Sequence, residues 1–122
     1  MRAADAIEKV SAQHPEYLEP YRALLLSQIA LSKQAGVRWH IAQILPRIAR
    51  QRDVAKIERI LLEYLEDSSS IVRTNAMQAL AELAASGLLP KASVARKIRS
   101  LARSGTPAMR ARANKLLRML SA

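Results

Sequence analysis

The chain has 122 residues and a formal net charge of +10. Half of it is hydrophobic, yet it holds no Phe, one Trp and three Tyr. That length implies one domain, residues 1–122, with a modest core built from Ala, Leu and Ile. The absence of Cys excludes a disulfide framework and a thiolate metal site, and no apolar run approaches the roughly 18–20 residues of a membrane span.

The charge is uneven. Residues 1–90 hold 11 Lys and Arg against 10 Asp and Glu, whereas residues 91–122 hold nine basic residues and no acid. The opening MRAADAIEKVSAQ places acids where a signal peptide needs an apolar core, so a cytoplasmic location is the expectation.

In chain order, residues 3–13 read as a short amphipathic helix with Ala3, Ile7 and Val10 on one side. His14-Pro15 breaks it, since the residue before Pro is pushed out of the α region. A helix then runs from Pro15 or Pro20 to about Ser32 with Tyr21, Leu24, Leu25 and Ile29 inward, and Gln34-Ala35-Gly36 forms a turn. The next helix runs from Val37 to about Ala49, with Pro46 inside it and unable to donate to Ala42.

Asp53 is placed to cap a helix over Val54–Leu65, whose inward face is Ile57, Ile60, Leu61, Tyr64 and Leu65. Asp67 to Ser70 is a turn of capping residues. The helix Ser70–Ala85 ends at Gly87, a left-handed C′ position. A helix of about 91–103 follows with Val94, Ile98 and Leu101 inward. Thr106 as N-cap and Pro107 at the first helical position start the last helix.

Three of these helices repeat one pattern. Val37, Ile41, Ile44, Leu45 and Ile48 align with Val72, Ala76, Ala79, Leu80 and Leu83, and with Met109, Ala113, Leu116, Leu117 and Leu120. The spacing i, i+4, i+7, i+8, i+11 is one helix face. The copies stand 35 and 37 residues apart, and Arg38, Arg73 and Arg110 each follow the first apolar residue. The helices before them align too, at Tyr21, Ile57 and Val94. The unit is therefore a helix pair, and a period of this length predicts a solenoid.

A two-helix unit of this period, with an Asp/Ser/Pro turn and Val-Arg opening its second helix, resembles the HEAT repeat. Asp67, Val72-Arg73, Ala76 and Ala79-Leu80 carry the likeness, echoed by Val37-Arg38…Leu45 and Met109-Arg110…Ala113…Leu117. It covers residues 15–121, and VRWHIAQIL, SIVRTNAMQALAEL and GTPAMRARANKLL also resemble short bacterial HEAT-like proteins of unassigned activity. The resemblance implies an all-α, right-handed solenoid of about three helix pairs plus an N-terminal helix, about seven helices in all. It also implies a scaffold that grips a partner along its second helices. One departure concerns the Asp that commonly holds the Val-Arg arginine. Only the middle copy has a nearby acid, Asp67, so an Asp–Arg ladder is not expected.

Outward positions of the second helices form rows: Trp39, Thr74, Ala111; His40, Asn75, Arg112; Gln43, Gln78, Lys115. Trp39, His40, Gln43, Asn75, Gln78, Arg112 and Lys115 together offer aromatic area, amides and positive charge. That suits an acidic peptide or protein partner; the alternative is a solvated helix face. The basic run adds Arg96, Arg99, Arg103, Arg110 and Arg118, which can serve an acidic partner or a nucleic-acid backbone, or simply keep the protein in solution. Arg96, Arg99 and Arg103 share one helix face.

Catalysis has little to stand on. His14 and His40 are 26 apart in no metal-binding or catalytic spacing, and Ser68 to Ser70 are better explained as a turn. The expectation is a non-enzymatic binding module without cofactor or metal. Nucleic acid is the alternative partner, and the oligomeric state is left open.

Overall fold

The structure is a computed structural model that describes residues 2–121, with side chains described from Asp5 onward. It contains seven α-helices: α1 (Arg2–Gln13), α2 (Arg22–Ser27), α3 (Ala35–Ile48), α4 (Val54–Tyr64), α5 (Ser70–Ala85), α6 (Lys91–Ser104) and α7 (Pro107–Ser121). Short 3-10 segments occupy Pro15–Tyr21, Ile29–Leu31 and Gln51–Asp53. The fold is all-α, with no strand among the described residues.

Helix α5 is the hub. It packs against α3 on one side and α7 on the other, and both α4 and α6 rest on it; α1 lies against α3, and α6 pairs with α7. Its repeat face of Val72, Ala76, Ala79, Leu80 and Leu83 is buried, and so are Met77, Ala81 and Ala84. Burial around most of the helix requires small side chains, and the alanines let neighbouring backbones approach. Helix α4 contributes Ile57, Ile60, Leu61 and Tyr64, and Leu65 follows at its C-cap, all buried. The Tyr64 hydroxyl donates to the Ala30 carbonyl at 2.6 Å, and burial pushes its ionisation upward.

The helix ends follow their local chemistry. Ser69 Oγ accepts from the Val72 N–H, and Thr106 Oγ1 accepts from the Met109 N–H ahead of Pro107. Gly87 takes φ +87°, which lets the Leu88 N–H reach the Leu83 carbonyl at 2.9 Å. At Gly105 a Cβ would sit 2.9 Å from the Leu101 carbonyl and 3.0 Å from Met109 Cβ, so the α6–α7 turn closes only around glycine.

Four local expectations are corrected. The stretch from Pro15 to Leu31 is not one helix but a 3-10 segment, the six-residue α2 and a second 3-10 turn. Pro20 supplies no N–H, and a 3-10 turn advances about 120° per residue rather than about 100°. The inward face therefore rotates: Tyr21 and Leu24 are 56% and 42% exposed, while Leu18, Leu25, Leu26 and Ala30 are buried. The alignment of first helices holds for Ile57 and Val94, both buried, and fails at Tyr21.

Arg22 is buried in that rotated face. Its guanidinium donates to Asp53 Oδ2 at 2.8 Å, to Glu19 Oε2 at 2.8 Å and to the Ile48 carbonyl. This is why Asp53, although it stands at the N-cap of α4, makes no cap hydrogen bond. Third, Ala35 and Gly36 already belong to α3 instead of a turn.

Fourth, α1 turns its polar side inward. Arg47 of α3 donates to the Glu8 carbonyl at 2.8 Å, to Glu8 Oε1 at 2.8 Å and to Ser11 Oγ at 3.0 Å. Ser11 is buried while Ile7 and Val10 are exposed. The third member of that expected apolar side, Ala3, lies outside the residues whose side chains are described.

Candidate functional site

The outward row is assembled by α5 and α7 and interrupted at α3. Arg112 Nη1 donates to Gln78 Oε1 at 3.1 Å, and Gln78 Nε2 donates to Glu82 Oε1 at 3.1 Å, so the two helices are stitched by polar side chains 34 residues apart. Gln78, Arg112, Lys115, Leu116, Arg118 and Met119 line a groove of about 580 Å³. Lys115, Arg118 and Met119 stand exposed on it. Asn75 is half-buried and spends its amide on the Ile71 carbonyl of its own helix at 2.9 Å.

The α3 members differ. His40 is a correction to the expected outward row: its side chain is 4% exposed. Nδ1 donates to the Gly36 carbonyl at 2.6 Å, and Nε2 lies 3.4 Å from Asp5 Oδ1 of α1. The cause is α1, which flanks α3 as α3 flanks α5. Asp5 is held below the usual carboxylate range, first by its hydrogen bond from Lys9, with His40 a smaller contributor. Trp39 is half-buried and stacks on the His40 ring with centroids 3.7 Å apart. Gln43 is half-buried, and its Oε1 has no hydrogen-bond partner.

The basic residues do not form one patch. Arg118 joins the α5–α7 groove, whereas Arg99 lines a second groove of about 400 Å³ with Lys91, Leu117 and Leu120 between α6 and α7. Arg96, Arg103 and Arg110 are exposed elsewhere on α6 and α7. Every ion pair among the described residues falls between Asp5 and Asp67. All nine cations from Lys91 to Arg118 are exposed and none is paired.

The sequence reading missed how Asp67 is used. Arg38, expected to have no acid, donates through Nε to Asp67 Oδ2 at 2.7 Å and through Nη2 to Oδ1 at 3.1 Å. The acid comes from the turn 29 residues ahead, across the α3–α5 contact. A search for acids just before each Arg passes over it. The Arg38 contact, foremost, holds the Asp67 carboxyl below its ordinary range.

Catalytic geometry is sparse. His14 stacks on Tyr17 and contacts Glu16, far in sequence from His40. No group of three or more His, Cys, Asp or Glu is placed to hold a metal among the described residues, and no described helix is long and apolar enough to cross a membrane. Compared with protein families, curated proteins and solved structures, the chain matches none.

Proposed function

We propose that the protein is a non-enzymatic binding module of HEAT-like solenoid form that recognises an acidic protein or peptide through the α5–α7 groove. The succession of contacts α1–α3–α5–α7, with α4 and α6 on α5, supports the stacked-pair reading, as does the Arg38–Asp67 clip between successive units.

The observation that carries the binding reading is the groove itself. Arg112, Lys115 and Arg118 converge there beside Gln78 and the exposed Met119, in a quarter of the chain whose cations have no acid of their own. Unpaired cations beside apolar area and an amide match a peptide of mixed acidic and apolar character. The chain itself pairs carboxylates with basic side chains between helices, since α1 meets α3 through Glu8 on Arg47 and Asp5 on His40.

Nucleic acid fits less well. The cations divide between separate grooves, and the exposed aromatics Tyr17 and Tyr21 lie in the first 21 residues, away from the basic run, so no platform for stacking bases accompanies the charge. Fluorescence anisotropy distinguishes the two. A labelled peptide alternating Glu and Leu pairs is expected to bind and to retain most of its affinity between about 50 and 200 mM salt. Duplex DNA, single-stranded DNA and RNA are expected to bind weakly and to lose what affinity they have over that range. Tight nucleic-acid binding with no peptide binding would overturn the proposal.

A further inference from the structure

We infer that the cleft at the α4–α5 and α6–α7 turns is a binding site for a single carboxylate, taken by the unoccupied edge of Arg73. It shares no residue with the α5–α7 groove and does not rest on the acidic-partner reading.

The repeat register places this arginine at an equivalent position in each unit. Ser32, Asp67 and Ser104 each stand five residues before the first apolar residue of their second helix, and Arg38, Arg73 and Arg110 each stand one after it. Arg38 Nη1 donates to the carbonyl of Ser32, six residues back, at 3.0 Å, while Nε and Nη2 grip the Asp67 carboxylate of the next turn. Arg73 repeats the first half: its Nη1 donates to the carbonyl of Asp67, six residues back, at 2.6 Å.

The second half is missing. The residue in the place of Asp67 one unit on is Ser104, whose hydroxyl donates back to the Ser100 carbonyl of its own helix at 3.1 Å. Among the described residues, Nε and Nη2 of Arg73 have no hydrogen-bond or ion-pair partner. Arg73 is half-buried, and these two donors keep a solvent-accessible edge open to an incoming group.

There is room for the missing group. Arg73 lines a cleft of about 590 Å³ with Asp67, Ser104, Gly105, Thr106 and Met109. Thr106 Oγ1 already accepts from the Met109 N–H, which leaves its O–H to donate to an incoming oxygen. The acids in the cleft select the kind of anion. Asp67 is neutralised by Arg38, but Glu66 lines the same cleft, so a monoanion is tolerated better than a doubly charged phosphate. A carboxylate is also the group this arginine position grips one unit earlier.

The test is a titration of the ¹⁵N-labelled full chain with sodium acetate at constant ionic strength, read by amide chemical shifts. Saturable shifts confined to residues 66–67, 73 and 104–109 are expected, in the millimolar range of a single charged pair. Arg73→Gln should weaken them by roughly tenfold or more. Ser104→Asp should abolish them and raise the thermal midpoint, because the chain then supplies its own carboxylate. The second variant keeps the test decisive if the first fails to fold. Shifts that do not saturate, that persist in Ser104→Asp, or that phosphate reproduces at equal affinity would overturn the inference.

Discussion

Replacing Asp67 by Asn isolates the charge that clips one helix pair to the next. The amide keeps an oxygen for the Ser69 N–H, which Asp67 Oδ1 accepts at 2.9 Å, but it turns donors toward Arg38 and removes the counter-charge from two charge-assisted hydrogen bonds. Breaking a fully buried pair costs about 3–5 kcal/mol. Here the Arg38 and Asp67 side chains keep 17% and 11% exposure, so water recovers part of that, and about 2–3 kcal/mol is expected. At about 4 °C per kcal/mol for a chain of this size, the thermal midpoint falls by roughly 8–12 °C. The sign with pH follows from the depressed carboxyl of Asp67. Its contribution is present in full above the unfolded value of about 3.9 and fades as pH falls through the lower folded value. The gap between wild type and Asp67→Asn should therefore close in acid. A double-mutant cycle with Arg38→Gln, followed by circular dichroism, measures the pair directly. Additive effects of the two changes, or a gap that persists in acid, would refute the reasoning.

Three further outcomes are expected. Gly87→Ala meets nothing within 4 Å, so only its φ of +87° opposes it, and chemical denaturation should show a loss of about 1–2 kcal/mol. Tyr64→Phe strands the buried Ala30 carbonyl and should lower stability by about 1–2 kcal/mol in the same assay. Arg47→Ala removes three of the polar contacts that tie α1 to α3 and leaves the His40–Asp5 contact, so hydrogen exchange of α1 amides should speed up by roughly tenfold or more while α5 stays protected.

What could be read from the sequence was the periodic part. The faces of α4, α5 and α7, the cap at Thr106 and the glycine at 87 follow from spacing and local chemistry, and each lies where the residues place it. Two kinds of feature were hidden. Around Pro15 and Pro20 the helical period itself changes, so Tyr21 and Leu24 point outward despite their spacing. The polar contacts depend on which helices become neighbours: Arg38 finds Asp67 29 residues away, Arg22 finds Asp53 31 away, and Arg47 finds Glu8 39 away. Charge pairing across such distances leaves no mark in a single sequence. His40 reads as outward-facing for the same reason, because nothing in its own helix announces that α1 lies beside it.

The central claim is that the α5–α7 groove, rather than diffuse positive charge, holds an acidic partner. Two charge-matched triple variants test it against the labelled Glu/Leu peptide. Arg112→Glu, Lys115→Glu and Arg118→Glu together should weaken binding by roughly a hundredfold or more, as expected when direct charged contacts are reversed. Arg96→Glu, Arg99→Glu and Arg103→Glu together change the net charge equally and should weaken it only a few-fold through the screened long-range field. Equal losses in the two variants, or a larger loss in the second, would contradict the account.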